Sequence, residues 1–108
     1  MGYYTDVEGE IKILKKDKTA FKNLMDSNDL DESYLDGFWE KNTFRFHASI
    51  KYAFSDDDIL DKIARFALEG SYIQGRGEEF EDVWEIKFDG EGRWKRRIPR
   101  WTNGVGFL

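Results

Sequence analysis

The chain of 108 residues has no cysteine, one proline and one histidine. Without a thiol there is no disulfide, no thiolate zinc site, no cysteine nucleophile and no iron–sulfur ligation. That usage suits a reducing compartment. Long apolar runs are missing as well. No stretch approaches the roughly 20 apolar residues of a membrane-spanning helix, and no signal-peptide core opens the chain. A cytoplasmic protein that avoids membranes is therefore expected. Repeats, linkers and low-complexity tracts are also lacking, so residues 1–108 read as a single domain, with 102–108 as a loose tail.

Aromatic residues are plentiful: nine Phe, five Tyr and four Trp. They supply much of the buried area that a domain of this size needs. The net charge is −5, unevenly spread. From Arg93 to Leu108 there are five basic residues (Arg93, Lys95, Arg96, Arg97, Arg100) and no acidic one, which leaves 12 basic against 22 acidic in residues 1–92. Such asymmetry bears on partners and not on the fold.

The clearest pattern lies at Thr43–Gly70. Phe44, Phe46, Ala48, Ile50 and Tyr52 alternate with Arg45, His47, Ser49 and Lys51, as in a strand with one buried face. Ser55 and Asp58 then stand at capping-box spacing. Ile59, Leu60, Ile63, Ala64, Phe66, Ala67 and Leu68 follow at helical spacing, up to a terminating Gly70. Upstream, Val7, Gly9, Ile11 and Ile13 mark a strand within Tyr3–Leu14, and Asp17 caps a helix with a Phe21, Leu24, Met25 stripe. Residues 26–33 read as a loop and 34–40 as a short strand, turned back at Lys41-Asn42. Downstream come a strand at 71–76, with Gly75 and Gly77 suggesting a bulge or bend, and a hairpin of 83–88 and 93–98 about the turn Asp89-Gly-Glu-Gly92. Pro99 makes 93–98 an edge strand. The order predicts an α+β two-layer sandwich, with a mostly antiparallel sheet of 5–6 strands and two helices on one face. Its core would be a ferredoxin-like β-α-β-β-α-β unit, extended by a C-terminal hairpin.

The opening Met1-Gly-Tyr-Tyr-Thr-Asp-Val-Glu-Gly-Glu-Ile11 and the later Gly77-Glu-Glu-Phe-Glu-Asp-Val-Trp84 resemble small phage and actinobacterial proteins. The likeness covers about a fifth of the chain and implies a viral or mobile-element setting, hence a host cytoplasm.

Candidate chemistry is sparse. His47 has no marked orienting partner or nucleophile. The run Asp26-Ser-Asn-Asp-Leu-Asp31 fails the calcium-loop register, with Leu30 at the fifth position and Asp31 where a glycine should turn. Asp56, Asp57, Asp58 and Asp61 could present carboxylates to Mg²⁺, but acids in a first helical turn also answer the helix dipole. Gly75-Arg-Gly77 lacks the lysine and following helix of a phosphate loop. The neighbouring Glu78 and Glu79 would point to opposite faces of a strand. No cofactor, no metal and no enzymatic activity are expected.

Two charged runs remain as partner-binding candidates. The acids Glu78, Glu79, Glu81, Asp82 and Glu85, continuing to Asp89 and Glu91, could imitate a phosphate backbone or shield an edge. The bases Arg93, Lys95, Arg97 and Arg100, with Trp101, interleave charge with aromatics, as a nucleic-acid module would. Pairing of 83–88 with 93–98 would let the two runs neutralise each other, so replacing Lys95 and Arg97 by Glu should cost stability. The expected function is non-enzymatic: a small protein that binds and blocks or modulates a host protein, such as a nucleic-acid-handling or defence protein, through its charged surface. Nucleic-acid binding through 93–101 is the alternative, and an Mg²⁺-dependent enzyme the second. Homodimerisation through an edge strand is open to such a sheet.

Overall fold

The computed structural model describes residues 5–50, 54, 57–77 and 83–97. The 102–108 tail, Ser55 of the capping box, Asp56, and the candidate residues Glu78, Glu79, Glu81, Asp82, Arg100 and Trp101 lie outside the described residues.

Six strands form one sheet: β1 (Thr5–Lys12), β2 (Phe38–Glu40), β3 (Thr43–Ile50), β4 (Tyr72–Arg76), β5 (Val83–Phe88) and β6 (Trp94–Arg97). Their order is β2-β3-β1-β4-β5-β6, and every neighbouring pair is antiparallel. Three α-helices accompany them: α1 (Lys18–Ser27), α2 (Glu32–Leu35) and α3 (Asp57–Ala64), with a 3₁₀ turn at Lys15–Asp17 before α1. The α+β sandwich read from the alternating and helical patterns is the architecture of the chain. No described helix is long and apolar enough to cross a membrane.

One sheet face builds the core. Val7 and Ile11 of β1, Phe44 and Phe46 of β3, Ile73 of β4, and Ile86 and Phe88 of β5 are buried with Phe21 and Met25 of α1, Leu35 of α2 and Leu60 and Ile63 of α3. Phe21 anchors the helical layer through edge-on contacts with Trp39, Phe44 and Phe66, at centroid distances of 5.9, 6.3 and 6.0 Å. Such contacts add to the area each ring buries.

Four expectations about the α1–β2 segment and the helix ends need correction. Residues 26–33 are not one loop: α1 runs to Ser27, and α2 begins at Glu32. The segment 34–40 is a strand only from Phe38, because Tyr34 and Leu35 close α2 before Asp36 takes a left-handed cap at φ 50°. Asp17 is the N-cap residue of α1, but its side chain makes no capping bond, since the 3₁₀ turn already leads into the helix. Finally, α3 stops at Ala64 and not near Leu68. Phe66 N–H bonds the Ile63 carbonyl three residues back, and Leu68 N–H donates to Lys12 O at 2.8 Å, which draws the chain off the helix axis toward β1. Ala67 stays buried all the same, and Gly70 takes its left-handed conformation, φ 95°, in the turn to β4.

Gly75 makes no bulge. It pairs regularly with Val7 and with Trp84. A glycine stands there because the Trp84 ring lies over it, within 2.2 Å of where a Cβ would be.

Candidate functional site

Strand alternation sends the remaining side chains to the opposite face, which no described helix covers. Two cross-strand rows dominate it. One runs His47, Glu8, Gln74, Glu85, Arg97 from β3 to β6. The other runs Phe38, Arg45, Glu10, Tyr72, Lys87, Lys95 across all six strands.

In the first row Glu85 is the pivot. It is the one acidic residue among the described ones that is buried, at 9% exposure. Its Oε1 accepts from Arg97 Nε at 3.0 Å and its Oε2 from Gln74 Nε2 at 2.9 Å. Both oxygens are thereby engaged, so the carboxylate is an anchor and not a free base. His47 is exposed, faces Glu8 across the β1–β3 pair, and has no hydrogen bond to orient its ring among the described residues.

In the second row Arg45 bridges Glu10 at 3.1 Å and Glu40 at 3.0 Å. Burial, followed by the Glu10 and Glu8 carboxylates, pushes the Tyr72 phenol above its usual pKa. The row ends on a conflict. Lys87 and Lys95 are directly opposite each other, both exposed, and neither has an ion pair or hydrogen bond among the described residues. Like charges in opposed positions destabilise a sheet. The mutual neutralisation expected from the sequence thus holds for Glu85 with Arg97 and fails for Lys87 with Lys95. A two-residue alternation locates charges on a face but leaves their pairing to register.

Arg93 also leaves its expected place. It sits in the β5–β6 turn and not on the strand, with Nε at 2.8 Å from Asp89 Oδ2 and an Nη at 3.1 Å from Glu91. Asp89 Oδ1 accepts the backbone N–H groups of Glu91 and Arg93. Chiefly the Glu91 amide, with Arg93 adding to it, holds the Asp89 carboxyl below the usual carboxylate range. This part of the acidic and basic runs builds a turn.

Two shallow depressions mark the open face. One of about 420 Å³ is lined by Asp6, Glu8, His47, Arg76 and Arg97, and the other, of about 740 Å³, by Tyr72, Lys87, Glu69, Asp89 and Glu91. Gln74 and Glu85 line both. The first gathers the histidine with three carboxylates, yet Glu85 is doubly bonded and no group of three or more His, Asp or Glu among the described residues is arranged to hold a metal ion. Of the acids weighed for Mg²⁺, two are separately engaged: Asp58 with Lys62 at 3.1 Å, and Asp61 with the Trp94 indole N–H at 2.7 Å. Asp26 and Asp31 line a third crevice, of about 390 Å³, between α1, α2 and the sheet.

Of the partner-binding candidates, the structure brings Glu85, Lys95 and Arg97 together on the open face and puts Arg93 at its end. Sequence reasoning passed over Glu8, Glu10, Arg45, Gln74 and Tyr72, which complete both rows. The polar alternation of β1 and β3 was the available signal, but it could not show that those strands are neighbours. Compared with protein families, characterised proteins and solved structures, the chain matches none.

Proposed function

We propose that the protein is a non-catalytic binding domain that covers a partner protein with the open face of its sheet and so blocks or modulates it. The observation that supports this most is the face itself. Five spacings of about 4.8 Å make it roughly 24 Å wide. It is rigidly paired, with acids Asp6, Glu8 and Glu10 along β1 and cations Lys87, Lys95 and Arg97 toward one side. Such a split fixes the orientation of an approaching partner and speeds its encounter. The likeness of the opening residues to phage proteins points to a host protein as that partner. A nucleic-acid surface is less well supported. RNA platforms place several exposed aromatics on the central strands, whereas here β1 carries acids and β4 a single half-buried ring, Tyr72, beside Glu10.

The test is capture from a bacterial lysate by the tagged chain, repeated with Glu8→Lys and with Lys15→Glu, which lies in the 3₁₀ turn away from the face. A protein retained by the parent and by Lys15→Glu, and released by Glu8→Lys, supports the reading. Retention of nothing, or equal retention by all three chains, refutes it.

A further inference from the structure

The structure assigns β6 a specific task, and we propose that it is the docking edge for an extended acidic segment of a partner protein, which adds as a seventh strand and sets its carboxylates against Lys87, Lys95 and Arg97. This rests on the reading above in supposing a protein partner, and it names the chemistry of what binds.

Four observations converge on this edge. First, β6 ends the sheet and pairs only with β5, so one side of its backbone is unpaired among the described strands. A free edge is a template for strand addition. Second, β6 is held in place from beneath. Trp94 Nε1 donates to Asp61 of α3 at 2.7 Å, and Arg96 donates to the Phe54 carbonyl at 3.0 Å while its guanidinium lies over the Trp84 ring at 5.4 Å. An incoming strand therefore meets an edge that is already ordered, which lowers the entropic cost of docking.

Third, the charge on this edge is in excess. Arg45, Arg93 and Arg97 each have a carboxylate partner, whereas Lys87 and Lys95 have none and face each other. A lysine on an edge strand is an ordinary guard against aggregation. Lys87 is on the interior strand β5, where no such guard is needed. Carboxylates alternating along an added strand would relieve the repulsion between the two ammonium groups and fall on the same face.

Fourth, the competing occupants fit worse. A symmetric β6–β6 pairing keeps like face with like face, so Lys95 and Arg97 of one copy would confront those of the other. Nucleic acid would find a single, half-buried ring beside these cations among the described residues, Tyr72 opposite Lys87, since the open-face positions of β5 and β6 are Val83, Glu85, Lys87, Lys95 and Arg97.

The experiment titrates the full isotope-labelled chain with a peptide of about eight residues alternating Glu and Thr. Its counterpart with Lys in place of Glu and a short oligothymidylate are run alongside. The proposal predicts amide shifts concentrated at 94–97 and 83–88, produced by the Glu peptide and not by the Lys peptide. Lys87→Glu combined with Lys95→Glu should weaken the Glu peptide about tenfold and let the Lys peptide bind in its place. That exchange also certifies that the variant is folded. Equal binding of both peptides, matching shifts from the oligothymidylate, or no shift at millimolar peptide overturns it. If the Glu peptide fails while a captured protein perturbs Glu8 and His47, the docking edge is refuted and the open-face reading survives.

Discussion

Replacing Gly75 by Ala probes the packing beneath the sheet at a single atom. A Cβ there would lie 2.2 Å from Cε2 and Cζ2 of Trp84 and 2.8 Å from Cη2. Carbon atoms rest at about 3.5–4.0 Å, so the ring must retreat by more than an ångström and loosen its contact with Arg96. Overpacking of this kind costs about 1–3 kcal/mol. Gly75 is not among the residues with positive φ, so Ala meets no backbone strain and recovers about 0.5–1 kcal/mol of the entropy that glycine loses in a strand. The net expectation is a loss of about 1–2 kcal/mol. With Trp84→Ala already present the obstacle is gone, and Gly75→Ala should be neutral or stabilising by up to about 1 kcal/mol. The coupling of about 2 kcal/mol exceeds the few tenths tolerated for independent sites. Urea unfolding of the four chains, followed by circular dichroism, measures it. An equal cost for Gly75→Ala with and without Trp84 would refute this account of the glycine.

Other outcomes follow from the open face. Glu85→Ala strips Arg97 and Gln74 of their shared acceptor in a buried position, and should lower stability by about 1–2 kcal/mol in the same urea assay. Lys95→Glu should raise stability by about 0.5–1 kcal/mol by turning the Lys87 opposition into an attraction, while Arg97→Glu should lower it by setting a second acid against Glu85. For Asp89 the folded pKa is depressed, so its contribution is complete above the ordinary carboxylate value of about 3.9 and fades as pH falls through the lower folded value. Asp89→Asn should therefore unfold earlier than the parent in urea at pH 7, with the gap closing below about pH 3.9.

How much could be read from the sequence depended on what each pattern encodes. Strands β1, β3 and β5 were legible because each buries one face, and alternation at Val7–Ile11, Phe44–Ile50 and Trp84–Phe88 records it directly. The edge position of β6 was legible from Pro99. The helix α2 was not, since four residues ending on the buried Leu35 are too few to display a helical period. The early end of α3 was hidden too, because Phe66 and Ala67 still face the core after the helix has stopped. At the site, the composition of the charged runs was visible, but the partner of each charge depended on register. A register shift of two residues, which keeps every side chain on its face, decides between Glu85 opposite Arg97 and Glu85 opposite Lys95. The rows through Glu8, Glu10 and Gln74 were beyond reach for a related reason. They exist only because β1 lies between β3 and β4, which are about 30 and 60 residues further along the chain.

The central claim is that the uncovered sheet face, and its β6 side above all, meets the partner. Lysine acetylation at limiting reagent, read by mass spectrometry with and without a captured partner, tests it most directly. The account predicts that Lys87 and Lys95 become severalfold less reactive in the complex while Lys15 and Lys16, in the 3₁₀ turn, keep their reactivity. Unchanged reactivity at Lys87 and Lys95, or shielding of Lys15 and Lys16 in their place, would contradict it.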